Sequence, residues 1–185
     1  MTQRDELFKT LYSILKSVAP TVTGQVEIIL IGGAAMLSAE IRHRVTDDID
    51  ILSSSRGIER LKNAIRHPLQ IVPEGFLCLH PDYRRDCAYV PALSLPPKIL
   101  VYRLSPLDLA ISKLSRFLAV DVEDIEAILK KEKISKSKLL RRYATARAYY
   151  TNQKAIDFNM KLLIKKFYQD HFDPEKDLPK PSGGA

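Results

Sequence analysis

The feature that most constrains this chain is a short apolar run that stops at two glycines and is followed by a pair of aspartates inside a second apolar run. Glu27-Ile28-Ile29-Leu30-Ile31 lies between polar residues and Gly32-Gly33, which predicts a buried strand over about 26–31. Ala34-Ala35-Met36-Leu37-Ser38 onward is helix-forming. Asp48-Ile49-Asp50-Ile51 then predicts a second strand, with Ile49 and Ile51 facing one way and Asp48 and Asp50 the other. Two carboxylates so placed repel each other unless a cation sits between them, and Mg²⁺ is the usual one. At a strand-to-helix turn, bare backbone N–H groups and a helix N-terminus can cradle phosphate, and glycine lets the chain approach it closely. A diglycine alone is usually a turn, and Asp-x-Asp alone is usually a solvated strand face. Their order along the chain is what points to a phosphate site beside a metal site, where ions activate an attacking oxygen and steady leaving pyrophosphate.

The remaining pattern sorts into a sheet-forming part and a helical part. Leu7, Leu11, Ile14, Leu15 and Val18 recur at helical spacing over 4–18, and Pro20 stops the run. A short helix is expected over 57–66, ended by Pro68. Residues 69–104 carry Pro73, Pro81, Pro91, Pro96 and Pro97, so strands there must be short or lie at a sheet edge; two are expected, near 86–91 and at 98–103. From Ser105-Pro106-Leu107-Asp108 the pattern is helical, with a first helix running through Ile111, Leu114 and Leu118. Asp121-Val122-Glu123-Asp124 reads as a capping box opening a second helix that ends near 131; Ser135 starts a third, and Asn152 precedes a fourth over 153–170. The expectation is an α+β chain: a small mixed-sheet core over 1–104, a helical bundle over 105–172, and a disordered, Pro- and Gly-rich tail over 173–185. A continuous Rossmann sheet would need more regular strand–helix alternation.

Charge is distributed unevenly. The chain of 185 residues carries a formal net charge of +7, yet residues 1–132 hold 17 bases and 17 acids. Residues 133–166 hold ten bases and one acid, Asp157. These bases interleave with Tyr143, Tyr149, Tyr150 and Phe158, a pattern suited to a phosphate backbone and stacked bases; the commoner fate of such segments is a solvated face with its aromatics packed inward. The scarcity of acids favours an anionic partner, of which RNA, including tRNA, is the most natural. No apolar run reaches bilayer-spanning length, and the N-terminus lacks the pattern of a signal peptide. Cys78 and Cys87 have no metal-ligand spacing, and His43, His67, His80 and His171 are scattered. A cytoplasmic protein without a disulfide or structural zinc is expected.

The segments Leu30-Ile31-Gly32-Gly33-Ala34-Ala35-Met36 and Thr46-Asp47-Asp48-Ile49-Asp50-Ile51-Leu52 together resemble the nucleotidyltransferase superfamily, the fold shared with DNA polymerase β. The later stretch Ser105–Leu129 is similar to the helical motif of small bacterial members, the AbiEii/MenA-type toxin nucleotidyltransferases. The resemblance covers roughly 25–130. It implies that Gly32 and Gly33 bind phosphate, Asp48 and Asp50 bind Mg²⁺ (or Mn²⁺), Lys113 contacts the triphosphate of an NTP, and Asp124 is the acidic residue of the following helix. Asp108 and Asp121 match flanking positions and are equally explained as helix starts.

Many such enzymes add a third carboxylate from a later strand as general base. Here Asp82 and Asp86 are the candidates, and Asp86, at the start of an expected strand, is the better one. The expected activity is transfer of NMP from an NTP to a hydroxyl on RNA or protein, with a toxin role and a neutralising antitoxin partner implied by the resemblance alone. The alternative is a catalytically impaired module of the same fold that binds nucleotide or RNA.

Overall fold

The computed structural model describes residues 2–41, 48–54, 56–57, 61 and 68–178. The chain divides into two compact units, Met1–Glu74 with Arg84–Ser105, and Gly75–Tyr83 with Pro106–Ala185. The mixed α+β architecture expected from the sequence is present: a five-stranded sheet in the first unit and helices in the second.

In the first unit, α1 (Gln3–Val18) begins at a reciprocal cap. The Thr2 hydroxyl accepts from the Asp5 N–H at 3.2 Å while the Asp5 carboxylate accepts from the Thr2 N–H at 2.8 Å. Its buried stripe is Leu7, Leu11, Leu15 and Val18. The strands are β1 (Val26–Leu30), β2 (Ile49–Leu52), β3 (Leu69–Ile71), β4 (Ala88–Tyr89) and β5 (Ile99–Arg103), with α2 (Gly32–Ser38) following β1. They lie in the order β3-β2-β1-β5-β4, with β1 antiparallel to β2 but parallel to β5. Ile28, Leu30, Ile49, Ile51, Ile99 and Val101 are all at most 2% exposed. Their register places them on one face of the sheet, each side chain contributing roughly 1.5–3 kcal/mol of burial.

The proline-rich middle supplies both sheet edges, three residues of β3 on one side and two of β4 on the other. The strand expected near 86–91 contracts to Ala88–Tyr89 because Tyr83–Asp86 and Pro91–Leu93 wind into 3₁₀ turns on either side. β3 had no signal of its own beyond a short apolar stretch. Of the helix expected over 57–66, only Gly57 and Leu61 fall among the described residues.

In the second unit, α3 (Pro106–Ser112) is shorter than its periodicity suggested. It passes into a 3₁₀ turn at Lys113–Ser115, and Phe117 takes a left-handed φ of 53° that ends the run before Leu118. α4 (Ala119–Lys131) starts earlier than expected: Leu118 is the cap residue, and Asp121, the third helical residue, accepts its N–H at 3.0 Å. Asp121 is thus the closing half of the cap and not its first residue. α5 (Lys136–Ala148) and α6 (Gln153–Tyr168) open at Ser135 and Asn152 as expected, and α6 ends where Gln169 turns left-handed, with φ at 52°. The segment expected to lack order begins with one capped turn, α7 (Pro174–Asp177), where Asp173 accepts from the Glu175 N–H at 3.0 Å. Residues 179–185 lie outside the described residues.

Buried polar groups tie these helices together. Arg142 donates to both oxygens of the fully buried Asp108, at 2.7 and 2.5 Å. Arg147 grips Asp157 the same way, at 2.6 and 2.8 Å, and the buried Tyr143 hydroxyl donates to it at 2.7 Å. The Cys78 backbone N–H donates to the Ser115 hydroxyl at 2.8 Å, and burial pushes the Cys78 thiol up to about 12, so it is an inert core group. Among the described residues no helix is long and apolar enough to cross a membrane.

The Asp108–Arg142 pair makes a direct prediction. Asp108→Ala strands a mostly buried guanidinium and is expected to cost about 3–5 kcal/mol in urea unfolding, whereas Asp108→Leu/Arg142→Met together recover most of that loss.

Candidate functional site

The strand-to-helix turn is built without a connecting loop. Ile31 caps α2 in extended conformation, and its N–H donates to the Asp50 carbonyl at 3.1 Å, extending the β1–β2 ladder by one residue. Gly32 then takes φ +54°, a left-handed conformation that lets the chain turn from sheet into helix. A Cβ at Gly32 would stand 3.1 Å from Asp50 Oδ2 and 3.8 Å from Asp50 Cβ. The glycine therefore answers two demands: its backbone angle, and the closeness of a carboxylate. Gly33 follows within α2 and has no positive φ.

Asp50 is half-buried between Ile49 and Ile51, which are 2% and 0% exposed, and Asp48 is half-buried just before β2. The alternation expected of the strand is what separates the aspartates from the core face. Two such carboxylates offer hard oxygen donors of the kind Mg²⁺ or Mn²⁺ takes, and the missing side chain at Gly32 keeps one side of Asp50 uncrowded, so the donor set suits a divalent cation.

The parallel β2–β3 register sets Gln70 beside Asp50, so the lateral neighbour on that strand is an amide. Asp86 is the last residue of the 3₁₀ turn before β4 and is exposed; Asp82 is exposed and belongs to the other unit. Among the described residues no three His, Cys, Asp or Glu side chains converge as a metal site. Asp47, next to Asp48, lies outside the described residues.

A family model described as "Nucleotidyltransferase of unknown function (DUF6036)" matches residues 7–171. The chain belongs to this nucleotidyltransferase family. No curated protein and no solved structure matches the chain. The matched span contains the glycine turn and the acidic pair of this nucleotidyltransferase, and the helices as far as α6.

Lys113 and Asp124 are brought together within the second unit. Lys113, 8% exposed, donates to Asp124 at 2.7 Å and to Asp121 at 3.5 Å. Asp121 also accepts two bonds from Arg116, both at 2.8 Å. Burial pushes the Asp121 carboxyl up, but Arg116, the Leu118 N–H and Lys113 outweigh it and hold the group below its ordinary value. The lysine ammonium is thus neutralised inside its own unit by the acid that resemblance pairs with it.

The bases of α5 and α6 in the nucleotidyltransferase differ in setting, and Lys138 and Arg141 of α5 are exposed. Arg142, Arg147 and Lys136 are engaged with Asp108, Asp157 and Asp170, and Tyr143 is core. Lys154, Phe158, Lys161, Leu162 and Lys165 share one exposed face of α6, with Phe158 62% and Leu162 42% exposed. Sequence reasoning missed Gln70 and Arg103, because only strand register reveals them. Arg103 ends β5 level with Leu30, and its Nε is buried without a hydrogen-bond partner.

Gly32→Ala is expected to cost about 1–3 kcal/mol of stability from its left-handed backbone alone. It also forces a methyl group against Asp50, so urea unfolding and Mn²⁺ binding, followed by paramagnetic resonance, should both weaken. Unchanged Mn²⁺ affinity in that variant would separate the turn from the acidic pair.

Proposed function

We propose that this nucleotidyltransferase moves a nucleoside monophosphate from an NTP to a hydroxyl on RNA, using the Gly32 turn and the Asp48–Asp50 pair as its nucleotide site. The observation that carries this reading is the closeness of the turn to Asp50: a Cβ on Gly32 would meet the Asp50 carboxylate at 3.1 Å. Phosphate-facing amides and cation-facing carboxylates then lie within one ligand's reach. Asp48 and Asp50 would hold Mg²⁺ or Mn²⁺, which offsets the charge of the triphosphate and of departing pyrophosphate. The first N–H groups of α2, which a helix leaves without an internal partner, donate to a phosphate oxygen beside it.

In the transfer, the acceptor hydroxyl oxygen bonds to the α-phosphorus and the bond to the bridging oxygen breaks. Pyrophosphate leaves with that electron pair, and the hydroxyl proton passes to water. The lysine-bearing face of α6 supports RNA as acceptor, because Lys154, Lys161 and Lys165 present positive charge there with Phe158 between them. A triphosphate contact for Lys113 rests on family resemblance, as does a toxin role with a neutralising partner.

A second reading has its own support. With Gln70 beside Asp50 and no third carboxylate gathered among the described residues, the chain also suits a module that binds nucleotide and transfers it slowly or not at all. Incubation with each α-³²P-labelled NTP, Mg²⁺ and total RNA distinguishes the two. Label is expected on RNA with the wild-type chain and is lost in Asp48→Ala/Asp50→Ala. Labelling that survives the double substitution contradicts the site, and Mg²⁺-dependent NTP binding with no labelling of any acceptor supports the module.

A further inference from the structure

The outer face of α6 carries a row of cations beside a row of apolar side chains, and the packing of the helix uses neither. Its buried stripe is Ile156, Met160, Leu163 and Ile164. At 3.6 residues per turn, Lys154, Lys161 and Lys165 fall along one line on the opposite side, with Phe158 and Leu162 on the line next to it. The five positions share an arc of about 100°, and the lysine row is about 17 Å long. Phe158 is 62% and Leu162 42% exposed. A single exposed apolar side chain is ordinary; two in line against a run of like charge are not.

Nothing acidic balances that row. Asp157, the sole acid of α6, is turned aside and gripped by Arg147. Among the described residues no carboxylate pairs with Lys154, Lys161 or Lys165. Lys166, further round the helix, lies over the Phe167 ring, 5.1 Å from its centroid, and acts on Glu126 of α4. The other exposed bases nearby, Lys138 and Arg141 of α5, have no ring beside them on that helix, because Tyr143 is fully buried.

A single nucleic-acid strand has the matching two-sided chemistry: phosphates along one edge and unpaired base faces along the other. Lysines track the first and an exposed aromatic ring stacks on the second. A duplex offers the phosphates but keeps its base faces inside the stack, so it leaves Phe158 unused. An acidic peptide would likewise engage the lysines alone. A lipid surface takes up the whole apolar face of an amphipathic helix, and here that face is two side chains wide at most.

We infer that α6 binds single-stranded RNA, with Lys154, Lys161 and Lys165 on the phosphates and Phe158 stacked on an unpaired base. The inference rests on the reading of RNA as acceptor and narrows it to an unpaired segment.

Fluorescence anisotropy with the full chain tests this, using a short unstructured RNA and the duplex of the same sequence over a salt series. The wild-type chain is expected to bind the single strand more tightly. Phe158→Ala should weaken the single strand about tenfold and leave the duplex unchanged, while Phe158→Tyr keeps the ring and the affinity. Lys154→Gln/Lys161→Gln/Lys165→Gln should weaken both, and should flatten the dependence of log affinity on log salt for the single strand by about 2. Equal wild-type affinity for strand and duplex overturns the inference, as does a Phe158→Ala variant that loses nothing or loses both equally. It is also overturned by Lys138→Gln/Arg141→Gln matching the effect of the triple variant, or by tighter binding to phosphatidylserine vesicles that the α6 variants abolish. In those cases RNA can still be the acceptor, held elsewhere. A wild-type chain that binds neither RNA removes the acceptor reading and this inference together.

Discussion

One position where a side chain is disfavoured organises the first unit. β1 turns directly into α2 at Gly32, with a left-handed backbone, while the antiparallel neighbour β2 brings Asp50 to the same spot. An L-residue there would carry backbone strain and crowd the Asp50 carboxylate. Glycine avoids both costs, and the consequence is a bare backbone beside an acid at the end of a buried strand. The sheet order follows the same logic: β1 and β2 must be adjacent and antiparallel for Asp50 to reach the turn, and the parallel β5 then fills the other side of β1.

Much of this is legible in the amino-acid sequence. The apolar run ending in Gly32-Gly33, the alternation around Asp48 and Asp50, and the caps at Ser135 and Asn152 all correspond to observed elements, because each reports a local requirement. In the proline-rich middle segment β3 and β4 are short edge strands, as proline's missing N–H suggests, but β5 from the same segment lies inside the sheet between β1 and β4. The errors were of another kind. α3 looked long because Leu114 and Leu118 continue an apolar period, yet Phe117 turns left-handed and breaks it. Asp121 looked like a cap's first residue, when it closes a cap begun at Leu118. Neighbours across strands, such as Gln70 beside Asp50 or Tyr89 beside Tyr102, were invisible, because register is a long-range property that no local pattern encodes.

The charge asymmetry also acquires a finer meaning. Part of the basic excess over residues 133–166 is structural: Arg142 holds the buried Asp108 and Arg147 the half-buried Asp157, and their removal would cost stability before it affected any partner. The outward lysines of α6 lie beside the exposed Phe158 and Leu162, and Lys133, Lys138 and Arg141 are exposed as well. A count of bases along the sequence mixes these two roles, and burial separates them.

The proposed function places the Gly32 turn and the acidic pair in one nucleotide–cation site. Its most direct test is a crystal soaked with Mn²⁺ and an α,β-methylene nucleoside triphosphate, measured for anomalous scattering at the manganese edge. The expected result is a manganese peak coordinated by Asp48 and Asp50, with a phosphate oxygen against the amides that follow Ile31. Manganese bound at other side chains, or a nucleotide bound away from the Gly32 turn, would contradict it.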